Sequence, residues 1–210
     1  MTNLKSVWDQ LTSNYSRNKI LAEDHWAEIE NTYSAPHRHY HNLSHLSSVI
    51  EMAKEYQENI TDPDILMFSI FYHDFIYNPG GKDNEQQSAK IAMERLCKLM
   101  VPEDKIKKCS SQIIATKDHL DNDDNDIKFL LDFDLAILGS SPLVYRNYTI
   151  EIRKEFSMYP DLLYRKGREK VLQHFLNINR IFKSNQFFNS REQQARTNLS
   201  KELEDIKKLL

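Results

Sequence analysis

The amino-acid sequence predicts an all-α protein, and three observations lead there. Glycine and proline are scarce, with four and six among 210 residues, too few for the turns that an all-β chain needs. Apolar residues recur at three- and four-residue steps along most of the chain instead of alternating. The breaks in that pattern carry helix-start and helix-stop residues, among them Asp62-Pro63, Pro102, Gly139 and Pro142.

In the first predicted helix, Leu4, Val7, Trp8, Leu11 and Tyr15 share one face. A second helix runs from about Lys19 to Tyr33. Ser34–His41 contains Pro36 and is expected to be a loop. Asn42 or Ser44 starts the next helix, with Leu46, Val49, Ile50 and Ala53 on one face. Asp62 followed by Pro63 is a strong helix start, and the nearly continuous apolar run from Ile65 to Ile76 predicts a buried central helix. Asn78-Pro-Gly-Gly81 ends it. Asn84 is placed to cap a helix reaching about Met100, and Pro102 opens another to about Thr116. The acidic stretch from His119 to Asp126 is expected to be a loop. A second apolar helix then covers Ile127 to Leu138 and stops at Gly139. Helices from Pro142 to about Met158, Leu162 to Phe182 and Ser190 to Leu209 complete the chain. No linker divides this pattern, so residues 1–210 are expected to form one helical domain, with a core over about 33–185 and helical extensions at both ends.

Composition narrows the function classes. Hydrophobic residues make up 40% and charged residues 28%, enough apolar content for a real core. The net charge is −3 with no basic block, which disfavours nucleic acid as a partner. Two cysteines, Cys97 and Cys109, do not make a disulfide framework, so a reducing cytoplasm is the expected location. No segment approaches the ~20 apolar residues that span a bilayer, and the N-terminus lacks a signal-peptide pattern, so no membrane partner is expected. The helical extensions offer surface for a homodimer.

The chemistry lies where apolar helices carry ionisable groups. Ile65–Tyr72 runs directly into His73-Asp74, and Phe129-Leu-Leu131 into Asp132-Phe-Asp134. A buried carboxylate is costly unless it is paired or binds a metal, and histidines with a divalent cation satisfy that need. On a helix, Asp134 neighbours Leu130, Leu131, Ile137 and Leu138, whereas Asp132 neighbours Lys128, Phe129, Leu135 and Ala136. Asp134 is therefore the first choice as a ligand and Asp132 the second. Tyr40-His41-Asn42-Leu43-Ser44-His45 adds two histidines four residues apart, on one face if the helix includes both. Mixed His/Asp donors suit manganese, iron, nickel or zinc better than calcium, and magnesium remains a candidate.

The order His45, His73-Asp74, Asp134 resembles the H…HD…D signature of the HD superfamily of helical, metal-dependent phosphohydrolases. Arg38–Leu46, Phe71–Pro79, Asp83–Ala89 and Leu131–Gly139 resemble the motifs of a bacterial family of HD phosphohydrolases. The pattern around Tyr145, Tyr148, Ile152-Arg153 and Gly167-Arg168 fits it as well. The resemblance covers about residues 33–185 and implies an HD-type helical bundle. It also implies a metal held by His45, His73, Asp74 and Asp134, and hydrolysis of a nucleotide or another small phosphate ester.

The Tyr40-His41-Asn42…His45 piece also resembles the first motif of cyclic-nucleotide phosphodiesterases. That implies His41 as proton donor to the leaving oxygen and His45 as metal ligand. Further implications are that Asp74 bridges to a second ion completed by His119 and Glu85, that Glu85 positions water, and that Arg38 holds substrate charge. Lys117 reads as solvated surface rather than a phosphate contact, and Tyr148, Arg153 and Arg168 either close the pocket or form salt bridges between helices. Two rival readings are a di-iron oxygenase, which the HD core supports when extra histidines complete a second site, and a non-catalytic nucleotide- or metal-binding module.

Overall fold

The computed structural model describes residues 2–210, and among them it contains ten α-helices, two short 3-10 turns and no strand. The chain is all-α. The helices are α1 (Leu4–Ser13), α2 (Lys19–Tyr33), α3 (Leu43–Glu55), α4 (Pro63–Tyr72), α5 (Asn84–Lys98), α6 (Glu103–Ala115), α7 (Asn125–Leu135), α8 (Pro142–Glu155), α9 (Asp161–Asn177) and α10 (Asn185–Lys207). None of the described helices is long and apolar enough to cross a membrane. The contacts group into two compact units divided between Leu130 and Leu131, so the division falls inside α7.

In the first unit, α4 packs against α3, α5 and α6. Ile65, Leu66 and every residue from Phe68 to Tyr72 are buried, as the apolar run predicts. Its start follows the sequence: Asp62 accepts the Ile65 N–H at 3.3 Å and Pro63 occupies the first turn. Trp8 of α1 meets the rings of Phe68 and Phe71 edge-on, with centroids 5.8 and 5.2 Å away. Its indole N–H donates to the Ala22 carbonyl at 2.8 Å, which ties α1 to α2. The Ser69 hydroxyl joins α4 to α6 through Gln112 Oε1 at 2.6 Å. Asp126, fully buried, accepts the Thr61 and Asp62 amides at 2.6 and 3.0 Å and the Lys108 ammonium at 2.7 Å. Burial alone would raise its pKa, but Lys108 and the two amides outweigh that and hold it below the usual carboxylate range.

In the second unit, α10 packs along α9 and on the 3-10 turn Ala136–Gly139. Gly139 is required there: a Cβ would stand 2.6 Å from Arg191 Cβ and 2.9 Å from the Arg191 carbonyl oxygen. Arg168 of α9 donates to Glu202 of α10 at 2.8 and 3.0 Å, and Tyr145 of α8 hydrogen-bonds the same carboxylate.

Several element boundaries differ from the sequence expectation, three of them by four residues or more. The central helix ends at Tyr72 and not at Ile76, so His73 is its C-cap and Asp74 lies beyond it. The helix expected to reach Phe182 stops at Asn177, and α10 begins at Asn185 and not at Ser190. The segment between leaves the helix because its amides are taken by carboxylates. Glu192 accepts from Ile181 and Phe182 at 3.1 Å each, and Asp132 accepts from Lys183 at 2.6 Å and Ser184 at 2.7 Å.

Candidate metal centre

Three predicted ligands belong to the first unit. Asn42 accepts the Ser44 N–H at 2.8 Å and the His45 N–H at 3.3 Å. It is thus the N-cap that fixes the start of α3, with His45 in the first turn and His41 just outside. His73 and Asp74 leave the C-terminal end of α4. His45 and His73 are buried, and Asp74 is half-buried.

The geometry of the three is specific. His45 Nε2 lies 3.4 Å from His73 Nε2 and 3.9 Å from Asp74 Oδ2, and His73 Nε2 lies 3.1 Å from Asp74 Oδ2. His73 Nδ1 stands 2.8 Å from the Ile70 carbonyl oxygen. A carbonyl only accepts, so Nδ1 carries the proton, and in the neutral ring Nε2 presents its lone pair to the other two atoms. With His45 Nε2 also unprotonated, all three atoms are acceptors, and a cation among them offsets their repulsion. Two atoms each about 2.1 Å from one ion stand about 3.0 Å apart at a right angle, about 3.4 Å at the tetrahedral angle and at most about 4.2 Å. All three distances fall within that range, so the donor set fits a divalent transition metal.

Asp134 is in the last turn of α7. His45, His73 and Asp74 offer ligand atoms that lie together within the first unit, and Asp134 belongs to the second unit. The second choice, Asp132, has a different task. It is fully buried and caps the approach to α10 through the Lys183 and Ser184 amides. Burial pushes its carboxyl up to about 6 against the pull of those amides and the Ser184 hydroxyl.

The loop after His73-Asp74 is held by three side chains. The Ser88 hydroxyl accepts the Ile76 N–H at 2.9 Å. Asn84 both accepts the Asn78 N–H at 3.2 Å and donates to the Asn78 carbonyl at 3.0 Å. Arg38 Nη2 donates to the Phe75 carbonyl at 2.9 Å. Asn84 and Ser88, one turn apart at the start of α5, thus give the Asp83–Ala89 motif the role of holding the loop that follows His73 and Asp74.

The other predicted site residues are placed as follows. The His41 ring stacks on Tyr77 with centroids 4.2 Å apart and planes 32° apart, and lies 5.7 Å from the His45 ring, beside the ligand group without joining it. Arg38 is buried between the faces of Tyr33 and Tyr77, 4.8 and 5.6 Å from their centroids, and its Nη1 donates to the His41 carbonyl at 3.1 Å. Glu85, in the first turn of α5, and His119, at a positive φ of 49°, are half-buried and do not belong to the ligand group. Lys117 donates to the Lys82 carbonyl at 2.8 Å. Arg168 and Arg153 make salt bridges to Glu202 and Asp161. Tyr77 was not singled out in the sequence; its signal is its position four residues after His73, within the Phe71–Pro79 motif.

Comparison with protein-family models, with curated proteins and with solved structures finds no match to this chain.

Proposed function

We propose that the protein is a metal-dependent phosphohydrolase of the HD type, acting on a nucleotide or another small phosphate ester. The observation that carries this reading is the convergence of His45 Nε2, His73 Nε2 and Asp74 Oδ2, with the His73 tautomer set by the Ile70 carbonyl. His45, His73, Asp74 and Asp134 would hold the ion, which when bound supplies Lewis acidity and an acidified water for attack on phosphorus.

The protein's own residues do the rest. The Ile70 carbonyl keeps the His73 proton on Nδ1, away from the ligand atoms. His41, held against Tyr77 and outside the ligand group, is the residue we assign as general acid to the leaving oxygen. Asn42 sets both histidines by fixing where α3 begins. Ser88, Asn84 and Arg38 hold the Phe75–Asn78 backbone so that Asp74 keeps its place. Glu85 and His119 are the residues we assign to a second ion or to phosphate, should two ions bind.

The test is a phosphatase panel on protein reconstituted with manganese, iron, nickel, zinc or magnesium, with elemental analysis of the same samples. The panel holds nucleoside mono- and triphosphates, cyclic nucleotides and a nitrophenyl phosphate. Turnover that disappears on chelation and returns with one of the metals is the expected result. Iron binding with oxygen uptake and no hydrolysis would establish the oxygenase reading instead. Tight nucleotide binding without turnover would establish the binding module.

A further inference from the structure

We propose that the cavity at the N-terminus of α3 is a binding site for a small oxyanion, a phosphate group, with Arg38 as its counter-charge. The cavity measures about 240 Å³ and is lined by Tyr33, Ser34, Arg38, Asn42, Leu43 and Ser44. None of the four metal-centre residues lines it.

The first support is an uncompensated buried charge. Arg38 is only 7% exposed. Among the described residues no carboxylate lies within ion-pair distance of it. Its partners are two main-chain carbonyls and two ring faces, and its Nε is buried with no partner at all. Every other buried cation or anion singled out above has a counter-charge or a full set of main-chain partners: Arg168 has Glu202, Asp126 has Lys108, and Asp132 has two amides. Carbonyl dipoles offset part of a guanidinium's charge but do not neutralise it, and a buried cation without an anion is costly.

The second support is the helix terminus facing the same space. α3 has 13 residues, and its N-terminus brings a partial positive charge to the cavity where Arg38 already stands. Asn42 satisfies the Ser44 and His45 amides, and the Leu43 amide, first in the helix, is left for another acceptor. The Ser44 and Ser34 hydroxyls add neutral donors at the wall. Two positive sources and several donors, with no acidic residue in the lining, select an oxyanion over a cation or an apolar ligand. None of the proposed metal ligands lines the site, although Arg38 and Asn42 also support the loop and the helix start that carry those ligands.

The experiment uses metal-stripped protein, so that failure of the metal centre and failure of this site read separately. Inorganic phosphate is titrated at constant ionic strength, followed by thermal unfolding and by calorimetric binding. The expected result is a saturable rise in Tm with millimolar phosphate and none with chloride. Ser44→Glu puts a carboxylate at the helix start beside Arg38; it should raise Tm by itself and weaken phosphate binding at least tenfold. Arg38→Gln should lose the phosphate effect while gaining none from chloride; where that variant does not fold, Ser44→Glu decides. Absence of a saturable rise overturns the proposal, and so does a rise of unchanged midpoint in Ser44→Glu.

Discussion

Asp132 and Asp74 are both acids at the end of an apolar run, and the molecule treats them in opposite ways. Asp132 is fully buried and points its two oxygens at the Lys183 and Ser184 amides, 2.6 and 2.7 Å away. Asp74 is half-buried and places an oxygen 3.1 and 3.9 Å from two imidazole nitrogens. One of those nitrogens has its proton committed to the far side of the ring. The first arrangement is complete within the chain, because donors meet acceptors. The second brings side-chain ligand atoms together in an arrangement that could hold a cation. Burial alone therefore does not mark a ligand; what marks it is whether the atoms around the carboxylate are donors.

The largest expected effect tests the second arrangement directly. Asp74→Ala should remove most of the bound metal after reconstitution, read as a fall from about one ion per chain to near zero by elemental analysis. Asp132→Ala should leave the metal content of the folded protein unchanged. Equal metal loss in both variants would break the contrast drawn between the two acids.

Next in size is the split between His41 and His45. His45→Ala should lose metal, since His45 offers a ligand atom. His41→Ala should keep it and slow turnover by roughly 10²–10⁴-fold on substrates with poor leaving groups, with partial recovery on a nitrophenyl ester. Metal loss in His41→Ala would make His41 a ligand, and the proton donor would have to be sought elsewhere.

The stability cost of Asp132→Ala comes third. Two buried amides lose their acceptor, at about 1–3 kcal/mol each, and the entry to α10 is loosened, so a loss of about 2–4 kcal/mol is expected from denaturant unfolding. A loss below about 1 kcal/mol would mean that water replaces the carboxylate and that the cap is dispensable.

The same contrast explains what was legible in the sequence. Asn42, Asp62-Pro63 and the apolar run to Tyr72 act on neighbours within four residues, so the starts of α3 and α4 and the burial of the central helix could be read locally. The burial of the two acids could not be read from periodicity: the apolar neighbours of Asp134 predict it to be the more buried, yet Asp132 is fully buried and Asp134 half-buried, because Asp132 is drawn inward by the Lys183 and Ser184 amides. The non-helical segment 178–184 could not, since its conformation is dictated by Asp132 and Glu192, which reach it from 51 and 11 residues away. Nor could the work of Asn84, Ser88 and Arg38. Their partners are main-chain atoms of Phe75, Ile76, Asn78 and His41, and a main-chain partner leaves no residue-specific mark on the other end of the bond.

The smallest expected effect concerns a buried histidine that lacks what His73 has. His73 donates from Nδ1 to the Ile70 carbonyl, whereas Nδ1 of the buried His25 on α2 has no partner. Burial holds the His25 pKa below 6.5, assisted by Arg95 and Lys98 and opposed by Glu28 and Asp24. The sign follows from proton counts. Above about pH 6.5 both folded and unfolded states keep this ring neutral, and it contributes no pH dependence. As pH falls below that value the unfolded chain takes up the proton while the folded one does not, so stability is lost. The loss stops growing once pH passes below the folded pKa. His25→Leu removes that difference and fills a similar volume without a polar atom to satisfy. Its Tm at pH 7.5 should lie within a few degrees of the parent. On acidification to pH 5.5 the parent should lose more Tm than the variant, and the gap between the two should open below about pH 6.5. Parallel curves over that range would show that His25 is protonated in the fold, with a partner for the added charge that the buried ring does not now have.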